Sequence, residues 1–333
     1  MTLHPAVLAL LASSLTVSAM VLYAGWYGMA VRAKWDINSG SEVQVGLERR
    51  TYLVSTILGY ALVFQLLSLF LFIYTADDLH KLFTGAMCAA GTLNVNGFGY
   101  PVLILKVVNF ILAGVWLIIN HVDTRGYDYP LIRVKYALLG LLAPLVLLET
   151  LLMFGFFSGL RPDVITSCCG SLFSSDRPGI AGDLASLPYT IVRPVFFASI
   201  AATTVSGLLF YLKGRGAYLF SAVSGTTFLV ASASLVSFIC LYYYELPTHH
   251  CPFCILQGEY GHAGYALYAS LLAGAVSGAG VGALAPFRDR ASLKAVISGV
   301  QRRLAVVAVV MYLLFTALVS YRMLVSSFRL GGD

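Results

Sequence analysis

The chain has 333 residues, 59% of them hydrophobic and 11% charged, with a formal net charge of +6. Soluble domains carry about 25% charged residues, so this composition, with a mean hydropathy of +0.84, excludes an ordinary soluble core and predicts a polytopic membrane protein. The basic residues are spread through short loops with no basic run longer than two, which excludes a nucleic-acid-binding tract and leaves membrane topology as their explanation.

Eight apolar stretches, at 6–31, 51–75, 101–120, 134–157, 191–212, 217–243, 253–284 and 304–326, each reach the length of about 20 residues that a hydrocarbon core requires. The expected fold is all-α: a bundle of eight transmembrane helices forming one membrane domain over 1–333. The first stretch is too long for the h-region of a signal peptide and has no basic segment before Pro5. The loop 76–100 opens with an amphipathic run at 76–83 and is then broken by Gly91, Gly97, Gly99 and Pro101. The loop 158–190 is rich in Ser, Gly, Pro and Asp and reads as irregular. The stretch 287–303 reads as a basic amphipathic surface helix. Gly278, Gly280 and Gly282 sit inside a span, where they predict close helix packing rather than a phosphate loop. Lysine and arginine alternate between the two sets of loops: fourteen fall in one set and six in the other, with Lys106 inside a span. By the positive-inside rule the first set, including 287–303, is cytoplasmic, and both termini lie outside.

On that topology all six cysteines face outward. Cys88 lies in the loop 76–100, Cys168 and Cys169 in the loop 158–190, and Cys240 near the end of the sixth span. Cys251 and Cys254 lie at the turn before the seventh. The outer side of a bacterial inner membrane is oxidising, so disulfides persist there. The pair Cys251-Pro252-Phe253-Cys254 is expected at the first turn of a helix, where proline is tolerated and the dipole favours thiolate. Three chemistries suit it: thiol–disulfide exchange, a structural staple, and a metal grip shared with His249 and His250. A short closed loop removes little unfolded-state entropy, which weighs against the staple. Zinc sites more often use two such pairs. Adjacent Cys168 and Cys169 either close a strained, easily reduced ring, hook a soft metal, or pair separately, for instance one with Cys88, which is either a loop staple or a shuttle partner. Tyr242, Tyr243 and Tyr244 read as an interfacial aromatic belt or as the wall of a quinone or haem site.

The segment Cys251-Pro252-Phe253-Cys254-Ile255-Leu256-Gln257, leading into a span, resembles the active-site segment of the disulfide bond formation protein B family. It is also similar to the corresponding segment of bacterial vitamin K epoxide reductase homologues. The resemblance is confined to this short segment. Those families have fewer core spans, and Gly258 and Glu259 stand where the first often has an arginine. The resemblance implies electron transfer between protein thiols and a membrane quinone, with Cys251 and Cys254 facing the quinone. It implies a shuttle pair, Cys168 and Cys169, that exchanges with an exported thioredoxin-like protein. Tyr243, Tyr244, Gln257 and Glu259 are the side chains expected to meet the quinone.

Charged residues within spans are costly and so informative. Lys106 and Glu149 lie at similar depths, ~9–10 Å below the same surface at a helical rise of ~1.5 Å per residue. They are expected to face the bundle interior and pair, with Gln65 and Asn109 nearby, as a polar pocket for proton delivery, a cation path or a structural ion pair. The functional expectation is a multi-pass thiol–disulfide oxidoreductase of the bacterial inner membrane. Its expected partners are the bilayer and a thiol protein, with no nucleic acid. Two alternatives stay open: a copper or zinc transporter or binding protein using His249, His250, Cys251 and Cys254, and a structural subunit of a membrane complex.

Overall fold

A computed structural model describes residues 3–161, 163–167, 169–174 and 179–330, with only the backbone of Cys169 and Gly170. Every regular element among the described residues is helical. Eight helices are long and apolar enough to cross a membrane. They are α1 (Pro5–Lys34), α2 (Glu42–Asp78), α3 (Gly99–Asp123) and α4 (Ile132–Ser158). The others are α5 (Tyr189–Lys213), α6 (Ala217–Tyr244), α7 (Ala263–Leu284) and α8 (Lys294–Val325). The chain is an all-α, multi-pass membrane protein. Its helices expose leucines such as Leu15, Leu67, Leu151, Leu208 and Leu229 to their surroundings, the surface that a hydrocarbon solvent favours and water does not.

Two elements depart from the sequence expectation. The seventh span starts at Ala263, ten residues after the apolar run begins at Phe253. The stretch 287–303 is not a separate surface helix. A 3-10 turn, Ala285–Phe287, ends the seventh span, and α8 starts at Lys294 and carries Arg302 and Arg303 on one continuous helix. Nothing between 294 and 304 stops it: there is no proline, and a single glycine is too weak a breaker to end a long helix.

The chain divides into two compact units. The first comprises residues 3–75, 96–160 and 283–301. Its core packs α1 and α3 against α4 through Val21, Trp116, Tyr136 and Leu139, with Leu62 of α2 in the same cluster. Ser14 and Ser18 both hydrogen-bond Thr150 Oγ1, at 2.6 and 2.7 Å, so small hydroxyl residues join α1 to α4 where lipid offers no hydrophobic drive.

The second unit comprises 76–95, 161–282 and 302–330 of the described residues. Here α5 meets α6 through Thr203 and Thr227, whose hydroxyls are 2.7 Å apart. The Tyr312 hydroxyl of α8 donates to the Ser224 carbonyl of α6 at 2.8 Å. A Cβ at Gly278 would collide with Ser224, so glycine there is what allows α7 to approach α6. Near its end α6 widens into a π-helical turn, Leu235–Ile239, before closing as Cys240–Tyr244.

Candidate functional site

Three connections of the second unit meet: 76–95, 161–187 and 245–262. Asp77, in the last turn of α2, begins the assembly. Its Oδ1 accepts the Ala89 N–H at 3.0 Å and the Gln257 amide at 3.3 Å, and the same amide donates to the Met87 carbonyl at 2.8 Å. These bonds bracket Cys88 and tie it to the turn that carries Cys251 and Cys254. The third connection lies against the first. Thr166 donates from its N–H to the Thr84 carbonyl at 3.0 Å and from its hydroxyl to the Gly91 carbonyl at 2.9 Å. The short helix Cys169–Leu172 packs on Ala89–Leu93, and the Phe173 ring meets that of Phe253 at 6.2 Å.

The result is a cluster of three buried thiols. The Sγ atoms of Cys88, Cys251 and Cys254 all lie within 4.8 Å of one another. Cys88 and Cys251 are 3.6 Å apart, a non-bonded contact well beyond the ~2.05 Å of a disulfide. The Phe253 N–H points at Cys251 Sγ from 3.5 Å, and His249 Nε2 lies 3.4 Å from Cys254 Sγ. A backbone N–H and an imidazole nitrogen thus each face one sulfur of the cluster.

The pair does not open a helix, contrary to the sequence expectation. Cys251 lies outside any regular element, Cys254–Leu256 and Gly258–Tyr260 are single 3-10 turns, and α7 waits until Ala263. Gly261 and His262 both take the left-handed conformation, with φ of 63° and 54°, and this interrupts any helix running on from Cys254. The helix dipole expected from the sequence is therefore not available to this pair.

Aromatic side chains hold the turn. The Tyr244 hydroxyl donates to the Cys251 carbonyl and accepts the Ile255 N–H, at 2.5 and 2.8 Å. The Tyr268 hydroxyl of α7 donates to the Pro252 carbonyl. The rings of His249 and Tyr260 pack edge-on to Tyr244 at 4.5 and 4.8 Å. Partial burial, followed by the neighbouring Cys254 and Glu259, pushes the Tyr260 phenol above its ordinary range, so it stays a neutral donor.

The remaining expected site residues divide. His250 turns away from the sulfurs and donates from Nδ1 to the Val236 carbonyl, in the π turn of α6, at 2.9 Å. Tyr243 lies against Arg322, whose guanidinium is 5.8 Å from its ring centre. Gln257 is committed to Asp77 and Met87, and Glu259 is exposed. Cys168 lies outside the described residues, as does the side chain of Cys169. Cys240 is buried in α6 with no disulfide among the described residues.

Lys106 and Glu149 belong to the first unit. They form a buried ion pair at 2.7 Å, with the Gln65 and Asn109 amides donating to the other carboxylate oxygen at 2.8 and 2.7 Å. Asp77, Tyr260, Tyr268 and Phe173 were not visible as site residues in sequence. Of these only Asp77 carried a signal, as an acid in the amphipathic run before Cys88.

No protein-family model, curated protein or solved structure matches this chain.

Proposed function

We propose that the chain is a membrane thiol–disulfide oxidoreductase of the bacterial inner membrane, with both termini and the cysteine cluster outside. The observation that carries this reading is the third sulfur: Cys88 sits 3.6 Å from Cys251, inside the same 4.8 Å cluster as Cys254. A disulfide with a thiol at non-bonded contact is the starting arrangement of exchange. In the step proposed, the Cys88 thiolate attacks Cys251 of a Cys251–Cys254 disulfide. The Cys88–Cys251 bond forms, the Cys251–Cys254 bond breaks, and Cys254 leaves as a thiolate that takes up the proton Cys88 gave. Cys168 and Cys169 pass the disulfide on to an exported thioredoxin-like protein.

A quinone, when bound, supplies a two-electron, two-proton acceptor for the Cys251–Cys254 dithiol. The rings of Phe253, Tyr244 and Tyr260 offer a flat aromatic group suitable walls. The Tyr244 hydroxyl and the Gln257 amide are already engaged, which leaves Tyr260 as the donor of the turn.

Burial favours the redox reading over a metal centre. Relative exposures of Cys88, Cys251 and Cys254 are 0%, 0% and 5%, and a disulfide plus a thiol is electrically neutral there. Three thiolates around a divalent ion keep a net negative charge, which is costly away from water. The metal reading keeps one specific support, His249 Nε2 beside Cys254 Sγ as a nitrogen ligand.

Acid-quenched alkylation of whole membranes decides between them. Cys254→Ser is expected to accumulate the Cys88–Cys251 disulfide, and Cys88→Ser the Cys251–Cys254 disulfide. Three reduced cysteines under oxidising conditions, with stoichiometric copper or zinc bound by the purified protein, would replace the redox reading with the metal one.

A further inference from the structure

A cleft of about 410 Å³ opens in the second unit, lined by Arg193, Phe197, Tyr242, Leu324, Arg329 and their neighbours. It shares no residue with the cysteine cluster. Arg193 is in the second turn of α5, Tyr242 is close to the end of α6, and Arg329 follows the end of α8. The cleft therefore lies at helix ends, the depth at which lipid headgroups meet a membrane protein.

Its charge is one-sided. Among the described residues no carboxylate lines it. Glu245, the acid nearby in the fold, is engaged by Arg322, Ser326 and Ser327 at 3.2, 3.0 and 3.1 Å. Those two hydroxyls first, and Arg322 after them, hold its carboxyl below the ordinary glutamate range. Arg193 is exposed and makes no hydrogen bond or ion pair among the described residues. Arg329 uses Nη1 alone, donating to the carbonyls of Ser326, Phe328 and Met323 at 2.8, 3.3 and 3.5 Å, and its other nitrogens remain available. Three of the six basic residues in the sparsely charged set of loops, Arg193, Arg322 and Arg329, gather at this corner. Topology does not require them there. One turn from Arg193 the lining becomes apolar, with Phe197 and Leu324 exposed.

We propose that the cleft binds an anionic phospholipid, its phosphate between Arg193 and Arg329 and an acyl chain along Phe197 and Leu324. A free anion would satisfy the guanidinium groups and leave the apolar wall bare. A zwitterionic lipid would bring its own cation to a site that already holds two.

The test is native mass spectrometry of the full chain released from nanodiscs of equal phosphatidylglycerol and phosphatidylcholine. One tightly retained phosphatidylglycerol is expected. Arg193→Gln and Arg329→Gln are each expected to lower its retention roughly fivefold, the effect of about one surface charge on an anionic lipid. Arg161→Gln, at an exposed position outside the cleft, should leave it unchanged. Lysine at 193 and 329 keeps the charge and should keep the preference, which separates lost binding from lost folding. Equal retention of both lipids by the unmodified chain would overturn the proposal. So would displacement of the bound lipid by excess inorganic phosphate, which identifies a soluble-anion site instead.

Discussion

Lys106 and Glu149 carry opposite charges into a place where neither is stable alone. Their side chains are 1% and 0% exposed. Lys106 Nζ also donates to Ser68 Oγ at 3.1 Å and lies 5.5 Å from the Phe72 ring centre. The carboxylate thus receives one charged and two neutral donors, and its charge is balanced within one helix packing contact. Such a pair adds little over a well-packed apolar replacement, but losing one member strands the other. Glu149→Gln or Lys106→Met is therefore expected to destabilise the chain by roughly 3–5 kcal/mol, measured by unfolding in mixed detergent micelles. The double change to methionine should recover most of that loss. A Glu149→Gln chain as stable as the unmodified one, yet inactive with quinone, would instead make the carboxyl a proton carrier. This pair was legible because charge interrupts a long apolar run. Lys135 and Asp123 form an equally buried pair at 2.9 Å that sequence hid, since both fall near the ends of their apolar runs and read as loop charges.

At the scale of elements, the spacing of Cys251 and Cys254 was readable and their setting was not. The break lies at Gln257-Gly258-Glu259-Tyr260-Gly261-His262, a polar, glycine-rich stretch just before α7, and at six residues it is short enough to be absorbed into the long apolar run that follows it. The partner of the pair was equally hidden. Cys88 meets Cys251 because Asp77 caps the connection that carries it and Gln257 spans from that cap to the turn, and a single sequence does not show which loops touch. The clamp makes its own prediction. Gln257→Leu removes both bonds of the amide, each worth about 1 kcal/mol. In a Cys254→Ser background it should slow formation of the Cys88–Cys251 disulfide, followed by a time course of alkylation quenches. Gln257→Glu should slow it further by setting a second carboxylate against Asp77. An unchanged rate in both would mean that the contact is set elsewhere, by the packing of Tyr244 and Tyr268 under the turn.

For the molecule as a whole, the number of membrane helices follows from apolar length, and all eight were visible in the sequence. The two compact units were not. Three of their five boundaries, 75/76, 282/283 and 301/302, fall inside α2, α7 and α8, so no linker composition marks those three, and the segments of each unit interleave along the chain. Orientation is the remaining property at this scale, and the cysteine chemistry depends on it. An even number of spans puts both termini on one side, and the positive-inside rule applied to the fourteen-to-six division of Lys and Arg gives the expectation that this side is outside. Cysteines introduced singly into an otherwise cysteine-free chain, as Leu3→Cys, Leu330→Cys and Asn38→Cys, report it through a membrane-impermeant maleimide on intact cells. Labelling is expected at 3 and 330, and at 38 only after the membrane is opened. The opposite pattern would place the three sulfurs in a reducing compartment, where a Cys251–Cys254 disulfide would not persist. Thiolates held reduced on that side are the state that a soft metal ion requires, so the same measurement that removed the exchange reaction would leave metal binding by Cys88, Cys251 and Cys254 as the chemistry of the cluster.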